Sequence, residues 1–325
     1  MAALRSFSPH PQTNPCVIVL AGPTASGKSA VALALAKNLD LEIINADSRQ
    51  IYRGLSAGTS APTREELSVV SHRLYLWLAP EEPYNAGRFA ADARLAVEEA
   101  LAKKHTALLV GGAGLYLRAL FDGLSPLPTA DPCLRKKWEE LALTQGKQAL
   151  HLELEKVDPE SAQKIPYQNI HRVIRALEVH ALTGTPISKI HRESKQKSPA
   201  LFNAPVYFFG LRWGRETLRA RIRARTANLI AGLLQEAQNL MSANVPADAP
   251  AMKSLGYMDA WRYLRGELKW DELLERVQLA TAQYAKRQMT FFNKDPRISW
   301  LENSEPFHPE TIAQEILRRM GKNLL

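Results

Sequence analysis

Eight residues near the start of the chain restrict its fold more than any other feature. Gly22-Pro23-Thr24-Ala25-Ser26-Gly27-Lys28-Ser29 satisfies G-x-x-x-x-G-K-[ST] in full. The apolar run Val17–Ala21 before it reads as a buried strand, and helical spacing from Gly27 to Leu39 follows. A strand feeding a glycine-rich turn and then a helix gathers backbone N–H groups at the positive end of the helix, where they can hold a phosphate. Lys28 would neutralise the terminal phosphate, and the Ser29 hydroxyl could hold a magnesium ion. A chance glycine-rich turn is the plain alternative, and the flanking pattern argues against it.

Further apolar runs at Leu41–Asn45, Thr106–Val110 and Val206–Trp213 alternate with helical segments. One helix is capped by Asn85 and runs to about Lys104; another spans Arg215–Ala243. This alternation predicts an α/β fold: a P-loop parallel-sheet core with helices on both faces. Between about 130 and 195 no strand pattern appears. Asp131-Pro132 and Asp158-Pro159 read as helix starts, and a third helix from about Asn169 to Thr183 stops at Gly184. The predicted organisation is therefore a flexible tail at 1–15, a core at 16–125 and 203–303, an all-helical insertion at 126–202 and a C-terminal helix at 304–325. Lys189–Ala204 is polar and reads as a linker. Two more helices are expected, near Leu255–Arg265 and Asp271–Asn293.

In such sheets ligands sit at the carboxyl ends of the strands. A nucleotide-hydrolysing enzyme usually places a magnesium-holding acid there. Here Thr106–Val110 ends in Gly111-Gly112-Ala113-Gly114, with no acid; the carboxylate follows the second strand instead, as Asp47. From there it could accept a proton from an incoming nucleophile, or merely cap a turn with Ser48.

Lys and Arg outnumber Asp and Glu by 42 to 33, a formal charge of +9. Such a balance fits an anionic partner such as nucleic acid, or a merely basic solvated surface. Six arginines fall within Arg212–Arg225, with Arg221 and Arg225 on one helix face and Arg215 and Arg219 on another. Basic residues with nearby aromatics (His171, Arg172 and Arg175; Lys286, Arg287 and Gln288 before Phe291 and Phe292) could track a phosphate backbone and stack bases, or Phe291 and Phe292 could be core. Two cysteines far apart, Cys16 and Cys133, give no disulfide framework or zinc site, and read as two inert buried thiols. No apolar run is long enough to span a bilayer.

Taken in order, these segments resemble the bacterial tRNA dimethylallyltransferases, or tRNA isopentenyltransferases. The matching pieces are GPTASGKS (22–29), NADSRQIYRGLSAGTSAPT (45–63), PYNAGRF (83–89), LLVGGAGLYLRAL (108–120), RVIRALEV (172–179), SLGYMDAWRYLRGEL (254–268) and QYAKRQMTFF (283–292). The resemblance implies that Gly22–Ser29 holds the diphosphate of dimethylallyl diphosphate, with Mg²⁺ on Ser29. Lys28 and Arg225 would stabilise the leaving diphosphate, and Asp47 would accept from the N6 amine of the adenine 3′ of a tRNA anticodon. The tRNAs would be those reading codons that begin with U. It implies tRNA contacts from Asp47, Ser48, Arg49 and Gln50, from His171, Arg172 and Arg175 of the insertion, from Lys253, Gly256 and Tyr257, and from Lys286, Arg287 and Gln288. A cytoplasmic monomer whose partners are the tRNA anticodon stem-loop and dimethylallyl diphosphate, with no membrane, is expected. The chain departs from the family's residues at Ala113, where threonine is usual and its hydroxyl is thought to position the reacting groups, and at Ala61, Ala282, Phe291 and Asn293. A small-molecule kinase using ATP, a prenyltransferase of free adenylates and a weakened RNA-binding relative are the rival readings.

Overall fold

A computed structural model describes residues 14–194 and 202–321. The chain divides into two compact units, 1–120 with 201–325, and 121–200. The first is built on a parallel sheet. Among the described residues it has six strands: β1 (Val17–Ala21), β2 (Leu41–Asn45), β3 (Ser71–Arg73), β4 (Thr106–Gly111), β5 (Val206–Trp213) and β6 (Ser299–Asn303), in the order β3-β2-β4-β1-β5-β6. Every residue of β1, β2 and β4 is buried, as strands covered on both faces must be. Ile18, Leu20, Ile43, Leu108 and Val110 share one core with α1 (Lys28–Ala36) and the C-terminal helix Pro309–Arg319. The alternate residues Val17, Val19, Ile44 and Leu109 are equally buried on the other face, where the helix Ala86–Ala102 packs against β2 and β4.

In chain order the helices after α1 are α2 (Arg64–Val69), α3 (Ala86–Ala102) and α4 (Gly114–Asp122); then α5 (Pro132–Thr144), α6 (Lys147–Val157), α7 (Pro159–Lys164), α8 (Ile170–Thr183) and α9 (Ile187–Ser194); then α10 (Arg215–Ser242), α11 (Tyr257–Leu264), α12 (Trp270–Phe292) and α13 (Pro309–Arg319). Asn85 caps α3, Asp131 and Asp158 cap α5 and α7 with proline at the next residue, and α8 ends on Gly184 in the left-handed region. In the 121–200 unit, Leu150, Leu154, Val173, Ile174 and Leu177 form a separate core.

Three expectations are corrected. The polar stretch Lys189–Ala204 is not all linker: residues 187–194 form α9, held by Ser188, whose N–H and hydroxyl donate to buried Asp158, and residues 195–201 lie outside the described residues. Cys133 is exposed near the start of α5, whereas Cys16 is buried against Thr106. Among the described residues of the segment 304–325 the helix runs from Pro309 to Arg319; the last four residues lie outside the described ones, as do residues 1–13 of the expected tail.

Candidate active site

The sheet register brings three loops together. Leu20 pairs with Val110, and Asn45 pairs with Val110 from the other side, so the loops after β1, β2 and β4 leave the same edge. Ala46 N–H donates to Val110 O (2.8 Å) and Ala113 N–H to Ala46 O (3.0 Å). A Cβ on Gly111 would lie 2.0 Å from Ala46 O, and one on Gly112 2.0 Å from Gln288 Nε2. Gly111 is thus a steric requirement of this junction, and Gly112 makes the space that Gln288 fills.

A cavity of about 780 Å³ opens at this edge. Thr24–Ser29 form one wall, Asp47, Arg49 and Gln50 another, and Arg221, Arg225, Leu229 and Tyr284 come from α10 and α12. The phosphate loop is braced by groups distant in sequence. Thr24 N–H donates to Gln288 Oε1 (2.9 Å), and Gln288 Nε2 to Gly112 O (3.1 Å), so one buried amide ties the loop to the end of β4. Arg221 Nε donates to Ala25 O (2.9 Å) and Trp213 Nε1 to Ser26 O (3.0 Å). Arg221 lies over the Trp213 ring, 4.2 Å from its centroid, and pairs with Glu305. Gly27 starts α1 at φ +91, a conformation that favours glycine, and a Cβ there would strike the Phe307 ring.

The cations of the site rest on neutral acceptors. Lys28 Nζ folds back onto Gly22 O (3.0 Å) and Pro23 O (2.8 Å). Burial pulls its ammonium down to about 8, with Asp47 opposing and Arg225 adding to the shift. Arg225 donates to Thr24 Oγ1, Thr59 O (3.1 Å) and Ser60 Oγ (3.0 Å). Its guanidinium is lowered by burial, against the attraction of Asp47. Asp47 Oδ1 accepts from Arg49 N–H (2.8 Å), and Asn45 holds the Asp47 backbone at both ends. Ser26 Oγ is fully buried without a hydrogen-bond partner. Three groups that can meet an anion or a proton therefore face one cavity: Lys28, Arg225 and Asp47.

The sequence-derived residues separate into those gathered here and those elsewhere. Gly22–Ser29, Asp47, Ser48, Arg49, Gln50 and Arg225 stand at or beside the cavity. Arg215 and Arg219, on the other stripe of α10, are exposed. Lys253, Lys286 and Arg287 are exposed on the first unit, and His171 and Arg172 on the second, where half-buried Arg175 pairs with Glu178 and donates to Pro128 O (2.7 Å). Tyr257 and Gln288 are buried and committed to Glu236 and to main-chain atoms, and Gly256 is the buried left-handed start of α11. All three are held inside the fold of the first unit. Phe292 is buried core, and half-buried Phe291 packs on Gly114. Ala113 immediately precedes α4 and is not part of the cavity wall. Trp213, Glu305, Phe307 and Glu236 escape sequence reasoning, because nothing local marks an aromatic or acid that docks onto a segment far away in sequence.

Residues 50–295 match the family described as IPP transferase. This chain belongs to that family. A protein of Anaeromyxobacter dehalogenans named tRNA dimethylallyltransferase is 39% identical over 307 residues, spanning 93% of this chain and 99% of its own length. One from Pelobacter propionicus named tRNA dimethylallyltransferase 1 is 40% identical over 90% of this chain and 94% of its own. Among solved structures, the tRNA isopentenylpyrophosphate transferase of Bacillus halodurans superposes with a TM-score of 0.68 at 30% identity, over 95% of this chain and 96% of that one. The IPP transferase fold thus accounts for both the parallel sheet and the helical 121–200 unit.

Proposed function

We propose that this IPP transferase moves the dimethylallyl group of dimethylallyl diphosphate to N6 of adenosine 37 in tRNAs reading codons that begin with U. The observation that carries the reading is the single cavity on which Lys28, Arg225 and the phosphate loop face Asp47, with no acid after β4. The diphosphate lies on the backbone N–H groups at the start of α1, against Lys28 and Arg225. As the bond from C1 of the prenyl group to the diphosphate oxygen breaks, negative charge grows on that oxygen, where the two cations and the helix end stabilise it. N6 attacks C1 and gives up a proton to the Asp47 carboxylate. Mg²⁺ would be held by the Ser29 hydroxyl and diphosphate oxygens, adding positive charge at the leaving group. That fits this site: Ser29 is exposed on the cavity wall, and the described residues hold no group of three or more His, Cys, Asp or Glu able to cage an ion.

The adenine must leave its stacked position to reach Asp47. The exposed cations Lys253, Lys286 and Arg287, with His171 and Arg172 of the insertion, would follow the tRNA backbone. No helix is long and apolar enough to cross a membrane among the described residues, in keeping with a cytoplasmic enzyme, which we take to act as a monomer. The test is transfer of label from dimethylallyl diphosphate into unmodified tRNA with Mg²⁺. We expect transfer by the wild type and its loss in Asp47→Ala. Labelled phosphate passing from ATP to a metabolite would overturn the reading.

A further inference from the structure

We propose that Glu236, on α10 and outside the cavity wall, is a positioning residue that sets the diphosphate-binding arginine through the loop 56–60. This rests on the reading of Arg225 as a diphosphate ligand. Glu236 gathers five donors. Its Oε1 accepts from Ser56 N–H (2.8 Å), Ser56 Oγ–H (2.8 Å) and Ala57 N–H (2.7 Å). Its Oε2 accepts from Gly58 N–H (3.0 Å) and the Tyr257 hydroxyl (2.7 Å). Three successive main-chain N–H groups on one carboxylate fix the path of the chain at this point, as charged acceptors do more firmly than neutral ones.

The loop continues directly into the partners of Arg225. Thr59 O and Ser60 Oγ accept from its guanidinium. Packing reinforces the path: a Cβ on Gly58 would lie 2.5 Å from the Tyr257 hydroxyl oxygen, and one on Gly232 of α10 would lie 2.5 Å from Ala57 Cβ. The order of control is thus α10, Glu236, loop 56–60, Arg225. Glu236 and Arg225 sit three turns apart on one helix, so the helix serves as the rigid frame and the loop as the arm that aims the guanidinium.

Glu236→Gln keeps the shape and one acceptor oxygen but turns an amide NH₂ toward the Gly58 N–H. Binding of inorganic pyrophosphate with Mg²⁺ should weaken about tenfold, the size expected for losing a hydrogen bond to a charged group. KM for dimethylallyl diphosphate should rise by the same factor, while KM for tRNA holds. In an Arg225→Ala background the substitution should have no further effect on pyrophosphate, because the guanidinium it positions is gone. Tyr257→Phe, which removes one donor and no charge, should weaken pyrophosphate two- to threefold, again only when Arg225 is present. Equal weakening in both backgrounds, or no weakening by either variant, would overturn the proposal. If Glu236→Gln does not fold, the Tyr257→Phe cycle decides alone. A wild type that does not bind pyrophosphate would refute the diphosphate reading itself, and the proposal with it.

Discussion

The phosphate-loop wall and the 121–200 unit treat their charged side chains in opposite ways. In the helical unit the two buried carboxylates are surrounded by donors. Glu178 accepts from Asp131 N–H (2.7 Å), Arg135 (3.1 Å) and Arg175, and Asp158 from Ser161 N–H (3.0 Å) and both donors of Ser188. Burial pushes both carboxyls up, but these donors outweigh it and hold them below the ordinary range. Along the phosphate loop, by contrast, Ser26 Oγ has no partner, Lys28 settles for two loop carbonyls and its ammonium is pulled down. The first arrangement holds a fold together. The second rests cations on neutral acceptors, which an anionic ligand can replace.

The widest test of this contrast is Lys28→Met. Losing a cation aimed at developing charge should lower single-turnover transfer by about 10²–10³-fold, while the melting temperature stays level or rises, since a half-buried ammonium held only by two loop carbonyls is removed. A clear drop in melting temperature would show that Lys28 is structural and break the comparison. Next in size is Glu178→Ala. It removes the buried acceptor of Arg175, Arg135 and the Asp131 N–H, although the two arginines can reach water, and should cost about 1–3 kcal/mol, read by denaturant unfolding. Pyrophosphate binding by the first unit should be untouched.

Acidity sharpens the same contrast. Glu178 and Asp158 have lowered carboxyls, so their stabilisation is complete above the unfolded values near 4 and is lost as pH falls through the lower folded ones. The helical unit should therefore tolerate mild acid. Lys28 behaves oppositely. Burial pulls its ammonium down to about 8, whereas a bound diphosphate favours the charged form. The Kd for dimethylallyl diphosphate, measured without tRNA, should rise as pH climbs past that value, by up to about tenfold per unit. With Lys28→Met that rise should vanish; a rise that persists would assign it to another group.

Much of this site is legible before any coordinates, for local reasons. The phosphate loop declares itself through a strand, glycines and a helix start within thirteen residues, and Asp131-Pro132 and Asp158-Pro159 mark helix starts the structure reproduces. What stays hidden is non-local. β6 has no long apolar run, because an edge strand needs only one buried residue, Leu301. Glu42 sits fully buried in β2, tolerated because Lys103, His105 and Arg73 reach it from other elements. Gln288 reads as one more polar residue in a basic stretch, and only the fold turns it inward to bridge Thr24 and Gly112. Spacing reveals which face of a helix a residue occupies, not which loop that face will meet.

The smallest effect belongs to Ala113, where the family's threonine is missing. Its carbonyl accepts from Leu117 N–H (3.2 Å), which makes it the N-cap of α4. Alanine offers no side-chain acceptor to the free N–H groups of the first turn, and a threonine there should add about 1 kcal/mol. Ala113→Thr should thus raise the melting temperature by roughly 2–4 °C. Because the residue stands outside the cavity wall, transfer should change less than twofold. A gain in turnover well beyond that, with no gain in melting temperature, would move the hydroxyl from helix capping into the chemistry. It would also place the end of β4 on the functional side of the contrast, beside the phosphate loop that Gln288 already ties to it.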